Sequence, residues 1–445
     1  MAGLAGVGGA GLLAAGCRSE QAEAPKVSGS GRVSGEPVLA VGLYSWDELM
    51  FLHNQIDWLG LGYVRLGGDV SDPLMRFCVD NRLDVLVTVT PETERAEVAS
   101  DGEFVAAYLA RLDTVLDRYG PGGSFWAQNP GLPQTALTQI EIGNEPNFGY
   151  GFSGTLQEKI AQYAEVLIAS YNHIKDRWPT VTVVGFATGG ASDAAPAFIE
   201  AMLPALTAAG QLDCFDVMSL HPYSATSAPE QTIVEPWGSW VASESINTVK
   251  QLMLEAGLDK PLWITEVGYQ ISHADGGRFP TPVDVLGNHG TVTLTQQAAY
   301  TIRMNMAAAR YSIPRVYHMF AVDSDDYNGG WFGGGPAHDP RPVADAMRQL
   351  IRLLHDATDF EVVLDGLGGA AESPYTYRFG TPRGGVLVAW CQNRGEFAIP
   401  LDAETETRVT DMFGNTIATV HADSYQGQLS EEPIYLFPAS TDMPS

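Results

Sequence analysis

Eight short apolar runs recur along residues 38–323, each followed by a longer segment of mixed polarity, and this alternation constrains the fold more than any other feature of the chain. The runs are VLAVGLYS (38–45), YVRLGG (63–68), DVLVTVT (84–90), TQIEIGN (138–144), VTVVGFA (181–187), FDVMSLHPY (215–223), PLWITEVGY (261–269) and RVYHMFAVD (315–323). They are rich in Val, Ile and Leu and bounded by turn-forming residues, as strands are. The segments between them have helical spacing. Residues 101–120 put Phe104, Tyr108, Leu112 and Val115 on one face, behind an acidic first turn and ahead of Gly120. Residues 155–178 open with Thr155 and Glu158 at capping-box spacing, and 293–313 form another long amphipathic stretch. A helix crossover returns the chain to the same end of a sheet, so successive strands run parallel. Eight such units predict a closed (β/α)8 TIM barrel over residues 37–357, with an open doubly wound sheet as the rival.

After Thr358 the pattern changes. FEVVLD, PYTYRFG, GVLVAWC, EFAIP, TRVTD, TIATV and PIYLFP are short strand candidates, separated by the turn candidates PRGG, FGN and SYQGQ. They predict a C-terminal antiparallel β-sandwich domain over residues 358–445.

The N-terminal stretch MAGLAGVGGAGLLAAGC is apolar and rich in small residues. It resembles a bacterial lipoprotein signal, which implies a signal peptide at 1–17, lipidation at Cys17 and a Ser/Gly linker at 18–36. It departs from that pattern in having Ala14 three residues before the cysteine and no basic residue ahead of the apolar stretch. An ordinary cleaved export signal is the alternative. Either implies an extracytoplasmic bacterial protein, lipid-anchored or secreted, that meets a membrane only through an N-terminal lipid. Gly6, Gly8 and Gly11 spell a dinucleotide-binding fingerprint, but no strand precedes them.

The net charge of −28, from 25 basic and 53 acidic side chains, argues against nucleic acid or an anionic membrane surface as partner. No C-x-x-C or H-x-x-x-H spacing occurs, so neither a metal nor a cofactor is expected. The sequence carries no signal of oligomeric state.

In a TIM barrel, chemistry gathers at the C-terminal ends of the strands. The residues expected there are Tyr44 and Trp46 from the first strand, Arg65 from the second, and Asn144 and Glu145 from the fourth. His221 and Tyr223 end the sixth, Glu266 the seventh, and Trp331 lies in the loop after the eighth. Glu141 is left out of this set. Two carboxylates over one barrel mouth are what glycosidic bond cleavage needs, one protonated to donate and one ionised to attack. Asn144 can bond a sugar hydroxyl beside the anomeric carbon, Arg65 and Tyr223 can hold the nucleophile ionised, and the aromatics offer stacking faces for a carbohydrate. An acidic loop at 323–326 is read as solvated rather than calcium-binding. Long segments at 118–134 and 224–243, carrying Trp126, Trp237 and Trp240, could border the cleft.

IEIGNEPN on a fourth strand, LHPYS on a sixth and WITEVGY on a seventh resemble the clan A glycoside hydrolases. The likeness spans the barrel and looks nearest to family 39, with families 5, 30, 51 and 79 also similar. It implies a retaining glycoside hydrolase working by double displacement on an extracellular polysaccharide or glycoconjugate. Glu145 would then be the acid/base, Glu266 the nucleophile and Asn144 the 2-hydroxyl contact, supported by Arg65, His221 and Tyr223. A transglycosylase on the same scaffold and a non-catalytic glycan-binding surface lipoprotein are the competing readings.

Overall fold

The structure is a computed structural model describing residues 38–133, 137–190, 194–235, 238–277, 290–323, 327–333, 337–366 and 373–441. Cys17, the expected signal and the expected Ser/Gly linker lie outside the described residues, as do Trp237 and residues 324–326.

All eight apolar runs form strands: β1 (Ala40–Ser45), β2 (Tyr63–Gly67), β3 (Asp84–Val89), β4 (Leu137–Ile142), β5 (Thr182–Gly189), β6 (Val217–His221), β7 (Leu262–Val267) and β8 (Arg315–Met319). They pair in parallel, in chain order, and close between β1 and β8. The rival open sheet is thereby excluded. The helices fall where the spacing put them. α1 is Asp101–Tyr119, α2 is Leu156–Arg177 and α3 is Leu294–Arg310; a further helix, α4, spans Pro342–Leu354. The capping box at Thr155 and Glu158 is formed, with each side chain bonded to the other's backbone N–H. No helix among the described residues is long and apolar enough to cross a membrane. Cys78, Cys214 and Cys391 are buried free thiols.

Alternate residues of each strand point into the barrel, and they stack in layers. At the bottom, Asp84, Gln139 and Arg315 form a polar plug, with Arg315 donating to Gln139 at 2.8 Å and to Asp84 at 3.0 Å. Above it sits an apolar layer of Leu86, Val184, Val217, Trp263 and Tyr317. The top layer is again polar, and it is the floor of the mouth.

The C-terminal strands form a six-stranded antiparallel sheet and a two-stranded ribbon. They are β9 (Asp359–Leu364), β10 (Tyr375–Thr381), β11 (Gly384–Trp390), β12 (Gly395–Pro400), β13 (Thr407–Thr410), β14 (Thr416–Val420), β15 (Ser424–Leu429) and β16 (Ile434–Pro438). The sheet order is β9-β10-β11-β16-β13-β14, and β12 pairs with β15. SYQGQ, read from its glycine and polar residues as a turn, is therefore most of β15; tertiary pairing with β12 overrides its weak local preference. Leu387 and Ala389 of β11, and Cys391 just after it, face the ribbon, packing with Ile399 and Leu429. Their neighbours Val386, Val388 and Trp390 belong to the apolar core shared with the barrel. The middle of the sheet is thus buried on both sides, and barrel and sheet lie in one compact unit.

A polar lock sits in that interface. Arg303 of α3 is fully buried and donates through Nε to Glu230 at 2.8 Å, and Trp390 Nε1 donates to the same oxygen at 2.7 Å. Breaking a buried pair strands a charge, which costs about 3–5 kcal/mol. Arg303→Met alone is therefore expected to lower the urea-unfolding free energy by about that amount, and Arg303→Met with Glu230→Gln by much less. Equal losses in the single and double variants would show that the pair is not coupled.

Candidate active site

The end of β4 explains why IEIGNEPN stops as it does. Gly143 takes a left-handed conformation (φ +78°), and Glu145 does too (φ +43°), which is uncommon for a residue with a side chain. Two buried tyrosines brace this bend. Tyr108 accepts from Gly143 N at 2.9 Å, and Tyr163 donates to Ile142 O at 2.9 Å. Asn147 pins the neighbouring β5 end, accepting from Gly189 N at 2.9 Å and donating to Gly189 O at 2.8 Å. The turn therefore swings Glu145 over the barrel instead of letting the strand continue.

One carboxylate oxygen of Glu145, one of Glu266 and a ring nitrogen of His221 all lie within 4.8 Å of one another. The carboxylates are only 8% and 7% exposed, sheltered yet not sealed off. Their surroundings differ sharply. Glu266 accepts from Arg65 Nη1 at 2.8 Å and from the Tyr223 hydroxyl at 2.6 Å. Burial first, and then the charge of Glu266, push the Tyr223 phenol far above its ordinary value, so it stays a donor. Among the described residues Glu145 has no cation in hydrogen-bonding contact; burial lifts its carboxyl to about 7 against the pull of Arg65. Its Oε1 lies 3.1 Å from His221 Nδ1, while His221 Nε2 lies 3.0 Å from the Thr265 hydroxyl. Burial lowers the imidazole to about 4, despite the opposing charge of Glu266, so at neutral pH the ring is uncharged. The arrangement suits a Nε2–H tautomer, with Nδ1 accepting the proton of a neutral Glu145.

Arg65 is the hub. Besides Glu266 it donates to Asn144 Oδ1 at 2.8 Å and, through Nε, to Glu141 at 2.7 Å. Its guanidinium lies 4.3 Å from the centre of the Tyr44 ring. Burial would lower the arginine pKa, but Glu141, Tyr44 and Glu266 outweigh it. Glu141 is fully buried and also accepts from Thr88 at 2.7 Å. Burial opposes its charge too, yet Arg65 and the Thr88 hydroxyl hold its carboxyl below the usual range. Glu141 thus belongs to the network that the sequence reading assigned to others. The available signal was parity: it points inward with Gln139, opposite Ile140 and Ile142.

The aromatic candidates divide. Trp46 is exposed, 4.9 Å centre to centre from Tyr44 and 4.8 Å from Phe320. Trp331 is a correction. It is 1% exposed and packed on His318, so it offers no stacking face. Asp323 is likewise structural, with both its oxygens held by Arg341 at 2.7 and 2.6 Å. The 118–134 segment is a second correction. It follows α1 and leads into β4, at the end of the barrel opposite the mouth, and Trp126 is buried there against Tyr119 O at 2.9 Å. Trp240, in the β6 loop, lies close to Tyr223 O (3.5 Å) and packs on the core. The sequence reading passed over Phe148 and Tyr150, two exposed rings that follow directly on the bend.

Gly189 was also missed. A Cβ there would meet Glu145 Oε1 at 2.3 Å. Gly189→Ala is expected to displace the carboxylate and cut kcat by about 10²-fold, the scale of a misplacement near 1 Å, while the melting temperature holds. Unaltered kinetics would mean that Glu145 need not stand where it does.

Glu145, His221 and Glu266 could by spacing ligate a divalent cation. Their donor atoms are already engaged by Arg65, Tyr223, Thr265 and one another, so a cation would have to displace these partners.

No family model matches the sequence, and no curated protein does. The fold, however, matches solved structures over nearly the whole chain. One is the catalytic domain of a family 30 xylanase from Talaromyces cellulolyticus (12% identity, 91% of this chain and 98% of that one, TM-score 0.58). Another is a family 30 subfamily 8 xylanase from Clostridium acetobutylicum (11%, 90% and 96%, 0.55). A family 44 xyloglucanase from Paenibacillus polymyxa follows (10%, 91% and 97%, 0.50). The chain therefore shares the fold of these glycoside hydrolases. The narrower likeness to family 39 is not carried by them.

Proposed function

We propose that the protein is a retaining glycoside hydrolase with Glu145 as acid/base and Glu266 as nucleophile. The observation that carries this reading is the contrast between two carboxylates within 4.8 Å, one cradled by Arg65 and Tyr223, the other raised to about 7 beside a neutral histidine. A retaining mechanism places its carboxyl groups about 5–5.5 Å apart, while inversion needs about 6.5–9.5 Å to admit a water. Glu145 protonates the leaving oxygen as Glu266 attacks the anomeric carbon, and then deprotonates the incoming water. Asn144, whose carbonyl faces Arg65, turns its NH₂ to the sugar's 2-hydroxyl. Trp46, Phe148 and Tyr150 offer faces for sugar rings around the mouth.

The substrate class we infer is an extracellular polysaccharide or glycoconjugate. The N-terminal signal and Cys17 support export and lipid anchoring; fatty-acid labelling that survives Cys17→Ala would end the anchoring proposal. The activity is tested by incubating the protein with diverse polysaccharides, detecting products by mass spectrometry and following the new anomeric centre by NMR. Retention at that centre is expected. Inverted product would sink the double displacement, and binding without cleavage would favour a glycan-binding protein.

A further inference from the structure

Away from the barrel mouth, a cavity of about 390 Å³ opens between α4 and the β13–β14 edge of the C-terminal sheet. Arg348 and Arg352 of α4 and Arg408 of β13 line it, in a chain whose acids outnumber its bases two to one. Elsewhere arginines meet carboxylates, as Arg118, Arg303 and Arg341 do. Here Arg348 hydrogen-bonds through its Nε, donating to Trp58 O at 2.7 Å, with its guanidinium over the Trp58 ring, and Arg408 uses one terminal nitrogen, donating to Ala439 O at 2.9 Å. Among the described residues neither forms a salt bridge, and the one carboxylate that feels the charge of Arg348 is Asp345. Arg348 and Arg352 stand one turn apart on the same helix, where like charges repel. Burial, and then Arg348, hold the Arg352 guanidinium below its ordinary value.

One buried neutral group lines the same space without a partner: among the described residues, the Thr410 hydroxyl makes no hydrogen bond. Such a group is normally satisfied, and left bare it costs stability. The Gln349 amide borders the space beside it. One carboxylate, Asp345, lines the exposed rim.

We propose that this cavity is a second carbohydrate site that takes a sugar acid, its carboxylate held by Arg348 and Arg408 and its hydroxyls by Gln349 and Thr410. Guanidinium forks match a carboxylate in geometry and charge, and the amide and hydroxyl beside them match a sugar's hydroxyls. The volume lies at the small end of ligand pockets, the size of one or two sugar residues. Asp345 accepts from a hydroxyl at the rim. Only the choice of a saccharide rests on the glycosidase reading, and the site is independent of Glu145 and Glu266.

The test is calorimetric titration of the full chain with galacturonic acid, galactose and sodium sulfate at matched ionic strength. Galacturonic acid is expected to bind one-to-one and galactose at least about tenfold more weakly. Arg348→Gln with Arg408→Gln is expected to weaken galacturonic acid by at least about tenfold, leaving turnover on the glycan substrate unchanged. Thr410→Val should weaken it too. Equal binding of galactose, sulfate binding as tight as the sugar acid, or unchanged affinity in the double variant overturns the site. Should the double variant not fold, Thr410→Val decides, and unchanged affinity there overturns it. Because the readout is binding, failure of the hydrolase assignment would leave the result standing.

Discussion

Glu266→Ala is expected to lower kcat by at least about 10⁴-fold, or about 5.5 kcal/mol in the barrier, with the fold intact. The size follows from what is lost. Arg65 and Tyr223 are committed to this carboxylate at 2.8 and 2.6 Å, and without it the proposed covalent glycosyl intermediate has no nucleophile to form on. The vacated volume leaves room for a small anion beside the Arg65 cation. Azide should therefore restore turnover on an activated glycoside and yield a glycosyl azide of inverted configuration, read by NMR. Full activity in the variant would end the assignment of the nucleophile.

Glu145→Ala should lose about 10²–10⁴-fold on natural glycosides, the range of general acid–base catalysis. The loss should be far smaller for aryl glycosides whose phenols leave without a proton. The wild-type pH profile carries the same signature. With its carboxyl raised to about 7, Glu145 is protonated below that pH and loses the proton above it. kcat/KM should therefore fall as pH rises through about 7, and Glu145→Gln should remove that limb. Stability moves with it. The folded carboxyl holds its proton better than the unfolded chain, whose value is 4.5. This contribution is fully present below pH 4.5 and lost as pH rises through about 7, where the buried group must ionise. Glu145→Gln should melt above the wild type at pH 8 and close to it at pH 4. An unshifted basic limb in Glu145→Gln would show that another group sets it.

Several features were readable because they depend on near neighbours in the chain. The eight strands follow from runs of Val, Ile and Leu, and the capped start of α2 from Thr155 and Glu158. Glu145 and Glu266 could be named because each ends a run, and in a barrel run ends converge. Other features depended on which groups meet across the closed sheet. Arg65 joins β2 to β4 and to β7, reaching Glu141, Asn144 and Glu266, and no spacing in the sequence encodes that bridge. Gly189 matters only because Glu145 leans on it, and Trp331 was misjudged because its burial is set by His318 from another segment. The 118–134 loop was placed at the wrong end because an extra helical turn, Ser124–Gln128, lengthens the path back to β4.

By itself, then, the sequence determined the repeating strand–helix order, the β-rich tail and the acidic groups that crown the fourth and seventh strands, since local apolar pattern and turn chemistry act over a few residues. Tertiary structure alone decided that Glu145 is desolvated while Glu266 meets Arg65 and Tyr223. That contrast lies in desolvation and in the position of one guanidinium, and both come into being only when distant strands close around a common axis.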